Sequence, residues 1–241
     1  LTKNKLSRII ENYAQVVVEE DPDTKKKTVK QIFPRYHQLD VVEKLLVDVK
    51  ENGIGKRYLI QHSAGSGKSN SISWLAHQLI ELEQDGHPML DSVLVVTDRR
   101  ILDKQIRDNI KQFMQVANTV AWAEHSGDLR DAIKDGKRII ITTIEKFPYV
   151  VPDIGAKHKN NKFAVIIDEA HSGQSGRNSA QMNLALSGLA SDDEMDNEDK
   201  INAMMEGRKL LTNASYFAFT ATPKNKTLET FGVPYQDGDE I

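Results

Sequence analysis

Hydrophobic residues recur along the chain in short runs that are rich in β-branched or aromatic side chains. The runs are Tyr58–Ile60, Val93–Val96, Ile139–Ile141, Ala164–Ile167 and Tyr216–Phe219. Because no polar residue alternates with the apolar ones, each run predicts a strand that is buried on both faces. Such strands are typical of a parallel sheet that is covered by helices.

Between these runs the apolar positions follow helical spacing. The clearest example predicts one apolar helix face, at i, i+3, i+4 and i+7, formed by Ile72, Leu75, Ala76 and Leu79. Similar patterns occur at Ile101–Phe113, Leu129–Ile133 and Met204–Leu211. The alternation predicts an α/β fold with a doubly wound, mainly parallel sheet and helices on both faces.

Two charged stretches interrupt this alternation. Glu19–Lys30 is turn-prone and predicts a loop or a hairpin tip in an N-terminal lead-in. Six of the eight residues in Asp192–Asp199 are acidic, and their mutual repulsion favours a surface insertion over a binding site. We therefore expect a lead-in or linker over residues 1–30, one domain over 31–223, and the start of another linker over 224–241.

The composition argues against several classes of protein. The 241 residues include no cysteine and no run near the roughly 18 apolar residues that a membrane span needs. We therefore expect no disulfide framework, no thiolate metal site and no membrane protein, and a reducing cytoplasm suits the chain. The net charge is −3, but the 35 acidic residues fall to 29 without the acidic run, against 32 basic ones. A surface that binds nucleic acid must then be local. The sequence begins at Leu1 with neither a signal-peptide h-region nor an initiator Met, so we expect a segment of a longer chain.

A glycine-containing loop follows the first hydrophobic run. Residues His62–Ser69 read HSAGSGKS and stand between a predicted strand and a predicted helix, which is the context of a phosphate-binding loop. Gly65, Ser66 and Gly67 form its centre. The two glycines permit the tight turn that points successive backbone N–H groups at phosphate oxygens.

Two side chains at the end of this loop predict the chemistry of ATP and Mg²⁺. Lys68 is expected to reach the β- and γ-phosphates, and the Ser69 hydroxyl to ligate Mg²⁺. His62 replaces the first glycine of the general pattern, at a position that shapes the loop entry. The alternative interpretation is a glycine-rich turn with a chance lysine.

An acidic pair follows the run Ala164–Ile167, where Asp168 and Glu169 begin the sequence DEAH. Ligands gather at the carboxyl ends of strands in open parallel sheets. Asp168 is expected to hold Mg²⁺ through its water shell, and Glu169 to polarise the water that attacks the γ-phosphate. His171 is expected to link this segment to another motif. The alternative is a carboxylate pair that caps a helix.

The last hydrophobic run ends in Thr220, Ala221, Thr222 and Pro223. Thr220 and Thr222 are expected at the same sheet edge as the acidic pair, where their hydroxyls can hydrogen-bond to His171. Taken alone, this segment is more typical of a strand that a proline ends. Its order after the other two motifs favours the functional interpretation.

Together these motifs resemble those of a superfamily 2 helicase, with motif I at Gly65–Ser69, a DEAH-type motif II at Asp168–His171 and motif III at Thr220–Thr222. The His62 loop start and three longer segments resemble the motor (R) subunit of type I restriction enzymes: TDRRILDKQ at 97–105, TTIEKF at 142–147 and DEAHSGQSG at 168–176. The similarity covers roughly Gln31 to Pro223. It implies a RecA-like P-loop NTPase domain that pumps duplex DNA past a bound complex, with cleavage when translocation stalls.

The resemblance also implies roles for other residues. Gln38 would contact the adenine edge, and Arg35 or Tyr36 could stack on the ring. Residues that would contact DNA are Arg99, Arg100, Lys104, Thr142, Thr143 and Lys146. For each basic residue a solvated helix face is the alternative, as a surface helix position is for Gln38.

The leading hypothesis is therefore the first motor domain of a type I restriction R subunit, in which ATP hydrolysis drives duplex DNA translocation. The implied partners are duplex DNA and the methyltransferase and specificity subunits, while the nuclease residues and a second motor domain lie outside this chain. Alone, the chain is expected to hydrolyse ATP poorly, because the second domain supplies arginines that stabilise the transferring phosphoryl group. One alternative is a stand-alone superfamily 2 helicase or remodeller acting on DNA or RNA. Another is a non-enzymatic nucleotide-binding module, which the presence of Lys68, Ser69, Asp168 and Glu169 disfavours.

Overall fold

The computed structural model describes residues 2–20, 24–63, 65–97, 120–123, 125–144, 158–168, 213–223 and 225–232. Elements are numbered in chain order within those ranges. They are α1 (Lys3–Asn12), β1 (Gln15–Glu20), β2 (Lys27–Ile32), α2 (Tyr36–Asn52), β3 (Arg57–Gln61), α3 (Lys68–Ile80), β4 (Glu83–Gln84), β5 (His87–Pro88), β6 (Ser92–Thr97), β7 (Val120–Trp122), α4 (Ser126–Lys134), β8 (Ile139–Thr143), β9 (Phe163–Ile167), β10 (Ala214–Thr220) and α5 (Asn225–Phe231).

Six of these strands form one sheet in the spatial order β3-β10-β9-β6-β8-β7. Every neighbouring pair is parallel. The five predicted strands are confirmed as β3, β6, β8, β9 and β10. The short edge strand β7 was not predicted, because its three half-buried residues form only a brief apolar run with an alanine at its centre.

Alternation along the strands sends side chains to two separate cores. In β6, Val93 and Val95 face one core, and Leu94 and Val96 face the other. Helices α2 and α3 pack on the first face, while α4 and α5 pack on the second. The predicted doubly wound arrangement is therefore confirmed, and its continuous apolar strands follow from burial on both faces. The predicted helix patterns at 101–113 and 204–211 lie outside the described residues.

The N-terminal segment, where the sequence predicts a lead-in or linker, contains regular elements. Helix α1 precedes an antiparallel hairpin of β1 and β2, which contains the two ends of the predicted loop or hairpin tip, while residues 21–23 lie outside the described ranges. Tyr13 is fully buried between them, and its carbonyl accepts a hydrogen bond of 3.0 Å from the Trp74 indole of α3. The segment therefore packs on the main core. Likewise, α5 forms where a linker was expected to start, and Phe231 is buried.

Within the described ranges, no helix has both the length and the apolar character that crossing a membrane requires.

Candidate active site

The loop between β3 and α3 has the conformation that its glycines predict. Gly65 has φ +72° and Gly67 has φ +86°, in the left-handed region that disfavours other residues. A Cβ on Gly67 would also lie 2.5 Å from the Gln38 Nε2 atom, so a side chain there would displace that amide. Helix α3 begins at the next residue, and Gly67 provides no side-chain cap to its N-terminus. The positive end of the helix therefore points toward the loop without an internal carboxylate or hydroxyl at the cap position.

Gln38 anchors this loop from the first turn of α2. Its Nε2 donates to the carbonyls of Gly67 at 2.9 Å and Ser66 at 3.3 Å, and its Oε1 accepts from the Arg35 N–H at 2.8 Å. The side chain is buried, whereas Arg35 and Tyr36 beside it are exposed. The sequence predicts that Gln38 contacts adenine. Because both ends of its amide already have partners in the protein, that contact would require an exchange of hydrogen bonds.

Lys68 and Asp168 meet at the carboxyl edge of the sheet. The Lys68 Nζ atom lies 3.7 Å from Asp168 Oδ1, and the two side chains are 12% and 1% exposed. The backbone N–H of Asp168 donates to the Val96 carbonyl at 2.8 Å, which fixes the carboxylate at the end of β9. At such low exposure water screens the two charges only weakly, so their attraction is stronger than at the surface. Two predicted site residues that are 100 positions apart in sequence are thus brought together.

The end of β10 lies next to this pair. Thr220 is fully buried, and its carbonyl accepts a 2.7 Å hydrogen bond from the His62 N–H at the start of the loop. Thr222 is exposed two residues later. Glu169 and His171 lie outside the described residues, so the predicted hydrogen bonds from these threonines to His171 stay a prediction.

The predicted DNA-contacting threonines occupy a different environment. Thr142 and Thr143 are the last residues of β8, and their side chains are 0% and 4% exposed. Because neither side chain reaches the surface, a contact with DNA would require a rearrangement at the end of β8, and the expectation that this segment contacts DNA stays a prediction. The basic residues predicted to contact DNA lie outside the described residues, namely Arg99, Arg100, Lys104 and Lys146.

His62 is a site residue whose function the sequence did not indicate beyond its unusual place in the loop. It is 5% exposed, and its ring nitrogens pair with two hydroxyls, Nδ1 with Ser66 Oγ and Nε2 with Ser71 Oγ at 3.1 Å. Burial, with smaller contributions from the positive charges of His37 and Lys68, lowers the pKa of His62 to about 4. The ring is therefore neutral at pH 7. The serines at i+4 and i+9 are the only sequence signal for this network, and they become meaningful once the loop brings them to one ring.

A cavity of about 230 Å³ borders the loop beside α2. His37 and Val41 line it from the helix, and Ile60, His62 and Ser66 line it from β3 and the loop. The His37 and His62 rings meet edge to face with centroids 5.3 Å apart. The cavity therefore combines apolar walls with polar ring edges, close to the predicted nucleotide-binding residues.

Comparison with known proteins gives a consistent family. The SWI2/SNF2 ATPase family matches residues 37–236 of the chain. The C-terminal part of the type I restriction enzyme MpnIIP endonuclease subunit of Mycoplasma pneumoniae is 33% identical over 160 residues, which cover 59% of this chain and 73% of that protein. The type I restriction enzyme HindI endonuclease subunit of Haemophilus influenzae is 28% identical over 227 residues, 88% of this chain and 19% of that subunit. The chain therefore spans about a fifth of the HindI subunit.

A solved structure shares the fold. The UvsW helicase of bacteriophage T4 superposes with a TM-score of 0.55 and 14% identity, over 96% of this chain and 65% of that chain. With the parallel sheet and the glycine loop, this likeness confirms the predicted RecA-like P-loop fold.

Proposed function

The chain belongs to the SWI2/SNF2 ATPase family and is homologous to endonuclease subunits of type I restriction enzymes, and from that premise we propose that it is the first motor domain of such a subunit. In this proposal, ATP hydrolysis at the β3–α3 loop drives duplex DNA translocation before cleavage by a nuclease domain outside this chain. The observation that carries the proposal is the approach of Lys68 to Asp168 beside a glycine loop at one edge of a parallel sheet.

The residues of this edge fit a nucleoside triphosphate. Among the described residues, no atom beyond its chain neighbours lies within 4 Å of the position where a Cβ on Gly65 would stand, and the N-terminus of α3 supplies positive potential. Bound ATP would place its terminal phosphates between Lys68 and Asp168, and the lysine would then pair with the phosphates. Glu169, the residue after β9, would polarise the attacking water. Bound ATP supplies the reacting phosphoryl group, and these side chains position it and balance its charge.

The same edge fits Mg²⁺. Ser69 stands in the first turn of α3, where its carbonyl accepts a 2.8 Å hydrogen bond from Ser73 Oγ. A serine hydroxyl and a carboxylate are oxygen ligands of the kind that Mg²⁺ prefers, and the metal usually keeps several waters and substrate phosphates as further ligands. We assign Ser69 and Asp168 to this role, the carboxylate through water.

Adenine recognition is assigned to the N-terminus of α2. Gln38 already holds the loop, Arg35 is exposed beside it, and the 230 Å³ cavity opens next to both the helix and the loop. A base bound here would take one of the hydrogen bonds that Gln38 makes within the protein. Nucleotide binding would then be coupled directly to the anchoring of the loop.

Coupling of hydrolysis to movement is assigned to the end of β10. Thr220 and Thr222 would hydrogen-bond to His171, and the Thr220 carbonyl already holds the base of the phosphate loop through His62 N–H. A shift of β10 relative to β3 would therefore move the loop. The DNA track is assigned to Arg99, Arg100, Lys104 and Lys146, which would contact phosphates without sequence preference.

The proposed complex includes methyltransferase and specificity subunits, and the specificity subunit would select the DNA site. The motor itself would be active only with a second domain that supplies arginines to the transferring phosphoryl group. That domain and the nuclease are assigned to the remainder of the subunit.

The test is ATP hydrolysis by the full-length subunit in the presence of duplex DNA, single-stranded DNA or RNA. We expect duplex DNA to stimulate the rate most strongly, and K68A to abolish the stimulation. Exposed Lys44, whose partner is Asp40 on α2, provides the matched control K44A. Stimulation by RNA alone would contradict the restriction-motor assignment while leaving an ATPase.

A further inference from the structure

The mechanism above gives no part to the imidazole of His62, although this ring is buried at the base of the phosphate loop. Its backbone is fixed by the sheet, since its N–H donates to the Thr220 carbonyl at 2.7 Å. Its side chain stands where the general loop pattern has a glycine, which could make no such contacts. A polar ring kept at 5% exposure needs hydrogen-bond partners to offset its loss of hydration.

The hydroxyls around the ring determine which nitrogen carries its proton. Ser66 Oγ donates to the Ser63 carbonyl, and a hydroxyl has a single proton to donate. Ser66 Oγ must therefore accept from His62, so Nδ1 carries the ring proton. In the neutral ring Nε2 is then an acceptor, and the buried Ser71 Oγ at 3.1 Å donates to it.

These bonds form one directed chain from α3 to the loop. It runs from the Ser71 hydroxyl to the imidazole, from the imidazole to the Ser66 hydroxyl, and from there to the Ser63 carbonyl. Gln38 and His37 hold the carbonyl of the same Ser66 residue from the side of α2. Ser66 is therefore fixed at both its hydroxyl and its carbonyl.

We propose that His62 is a positioning residue that holds Ser66, and with it the backbone N–H groups of the loop, in the conformation that receives the triphosphate. This inference rests on the proposed function, in which the loop binds Mg-ATP. Holding the loop in advance lowers the ordering cost of binding. The effect should therefore appear in affinity for any triphosphate, and independently of the base.

The experiment measures affinity for Mg-ATP and for Mg-tripolyphosphate in H62A, H62N and H62Q, together with the saturated rate of ATP hydrolysis. We expect H62A to weaken both affinities about tenfold, the scale of one lost hydrogen bond in a buried site, with a smaller effect on the saturated rate. H62N keeps an amide near the Nδ1 position and should restore most of the affinity. H62Q places its amide near the Nε2 position, so it should contact Ser71 and restore little.

A double-mutant cycle separates this role from a general structural one. The variant S66A should weaken triphosphate binding, and H62A/S66A should be no weaker than H62A, because both changes remove the same hydrogen bond. S71A is the matched serine control: it tests the bond to α3 and leaves the bond to Ser66. Additive losses in the cycle would overturn the inference.

The remaining outcomes are also decisive. A folded H62A protein that binds both ligands within twofold of the wild type would overturn the inference. If H62A does not fold, the test uses H62N and S66A. An H62N protein that binds triphosphate as weakly as S66A would then contradict the inference. The variant K68A separates two kinds of failure. If K68A weakens binding while H62A has no effect, only the inference about His62 fails. Wild-type protein that does not bind triphosphate would refute the proposed function itself.

Discussion

The carboxyl ends of β3 and β8 lie at the same edge of the sheet, but their surroundings differ. After β3 come two glycines with positive φ and a helix that begins with Lys68. Strand β8 ends in Thr142 and Thr143, which are 0% and 4% exposed, and whose hydroxyls have no hydrogen-bond partner among the described residues. We therefore expect that position at the carboxyl edge does not by itself make a phosphate site. In our proposal the chain must also turn so that backbone donors and a charged side chain face the ligand.

After K68A, the largest effect is expected from Asp168→Asn, because it removes the charge that lies 3.7 Å from Lys68 Nζ. We expect DNA-stimulated ATP hydrolysis to fall about 10²- to 10³-fold, the scale of losing one electrostatic contact in an enclosed active site. Steady-state phosphate release at saturating ATP measures this. Exposed Asp131 on α4 gives the matched control D131N, which should leave the rate unchanged. A D168N rate above a third of the wild-type rate would contradict the assignment of Asp168 to the active site.

Gln38→Ala should have the next largest effect, since it releases the hydrogen bonds to the Ser66 and Gly67 carbonyls. We expect ATP affinity to fall about tenfold, and affinity for tripolyphosphate to fall less, because only ATP also loses the adenine contact. Competition against a labelled nucleotide measures both, and Q31A on exposed β2 is the control. Equal losses would show that Gln38 anchors the loop without contacting adenine.

His62 makes the loop sensitive to acid. Its pKa of about 4, compared with an ordinary value of 6.5, means that the unfolded chain binds the proton more readily between those pH values. The stability that its neutral ring contributes is complete above pH 6.5 and is lost as the pH falls toward 4. His37 and Lys68, whose positive charges face the ring, act in the same direction.

We therefore expect the wild type to lose more unfolding free energy than H62N between pH 7 and pH 5, by on the order of 1 kcal/mol. Urea unfolding of both proteins at the two pH values gives the difference. The comparison with H62N cancels the groups that titrate in both proteins. Equal losses would mean that His62 is protonated in the fold at its ordinary pKa.

Thr143→Val should have the smallest effect. Replacing a buried hydroxyl that has no partner among the described residues with a methyl group of similar size costs little. Stability should be unchanged or slightly higher, and DNA-stimulated hydrolysis should stay within about twofold of the wild type. A large loss of DNA stimulation in T143V would instead support the sequence-based prediction that this residue contacts DNA.

The central sheet was predictable from the sequence because a strand that is buried on both faces requires a continuous apolar run, such as Val93–Val96. The phosphate loop was equally predictable, since the spacing of Gly65, Gly67 and Lys68 follows directly from the shape of the turn. Edge strand β7 is apolar too, but its run of three includes a central alanine and is only half-buried, so it resembles a strand less clearly than the longer runs do.

Other features depend on three-dimensional placement. The spatial order of strands was not predictable from the runs alone, as β10 lies between β3 and β9 although it comes last in the chain. The burial of Thr142 and Thr143 reflects their position within β8, which their polar chemistry does not reveal. The hydrogen bonds of His62 form because the turn of the loop brings Ser66 to one side of its ring and α3 places Ser71 at the other nitrogen.

The most direct test of the account is a titration of the protein with ATP, in Mg²⁺ and in excess chelator, for the wild type and K68A. We predict saturable binding that Mg²⁺ strengthens, and a loss on the order of 10- to 100-fold in K68A, because a charge-assisted contact to phosphate disappears. K44A should bind like the wild type. Equal affinity of K68A and the wild type would contradict the claim that the end of β3 forms a Mg-ATP site.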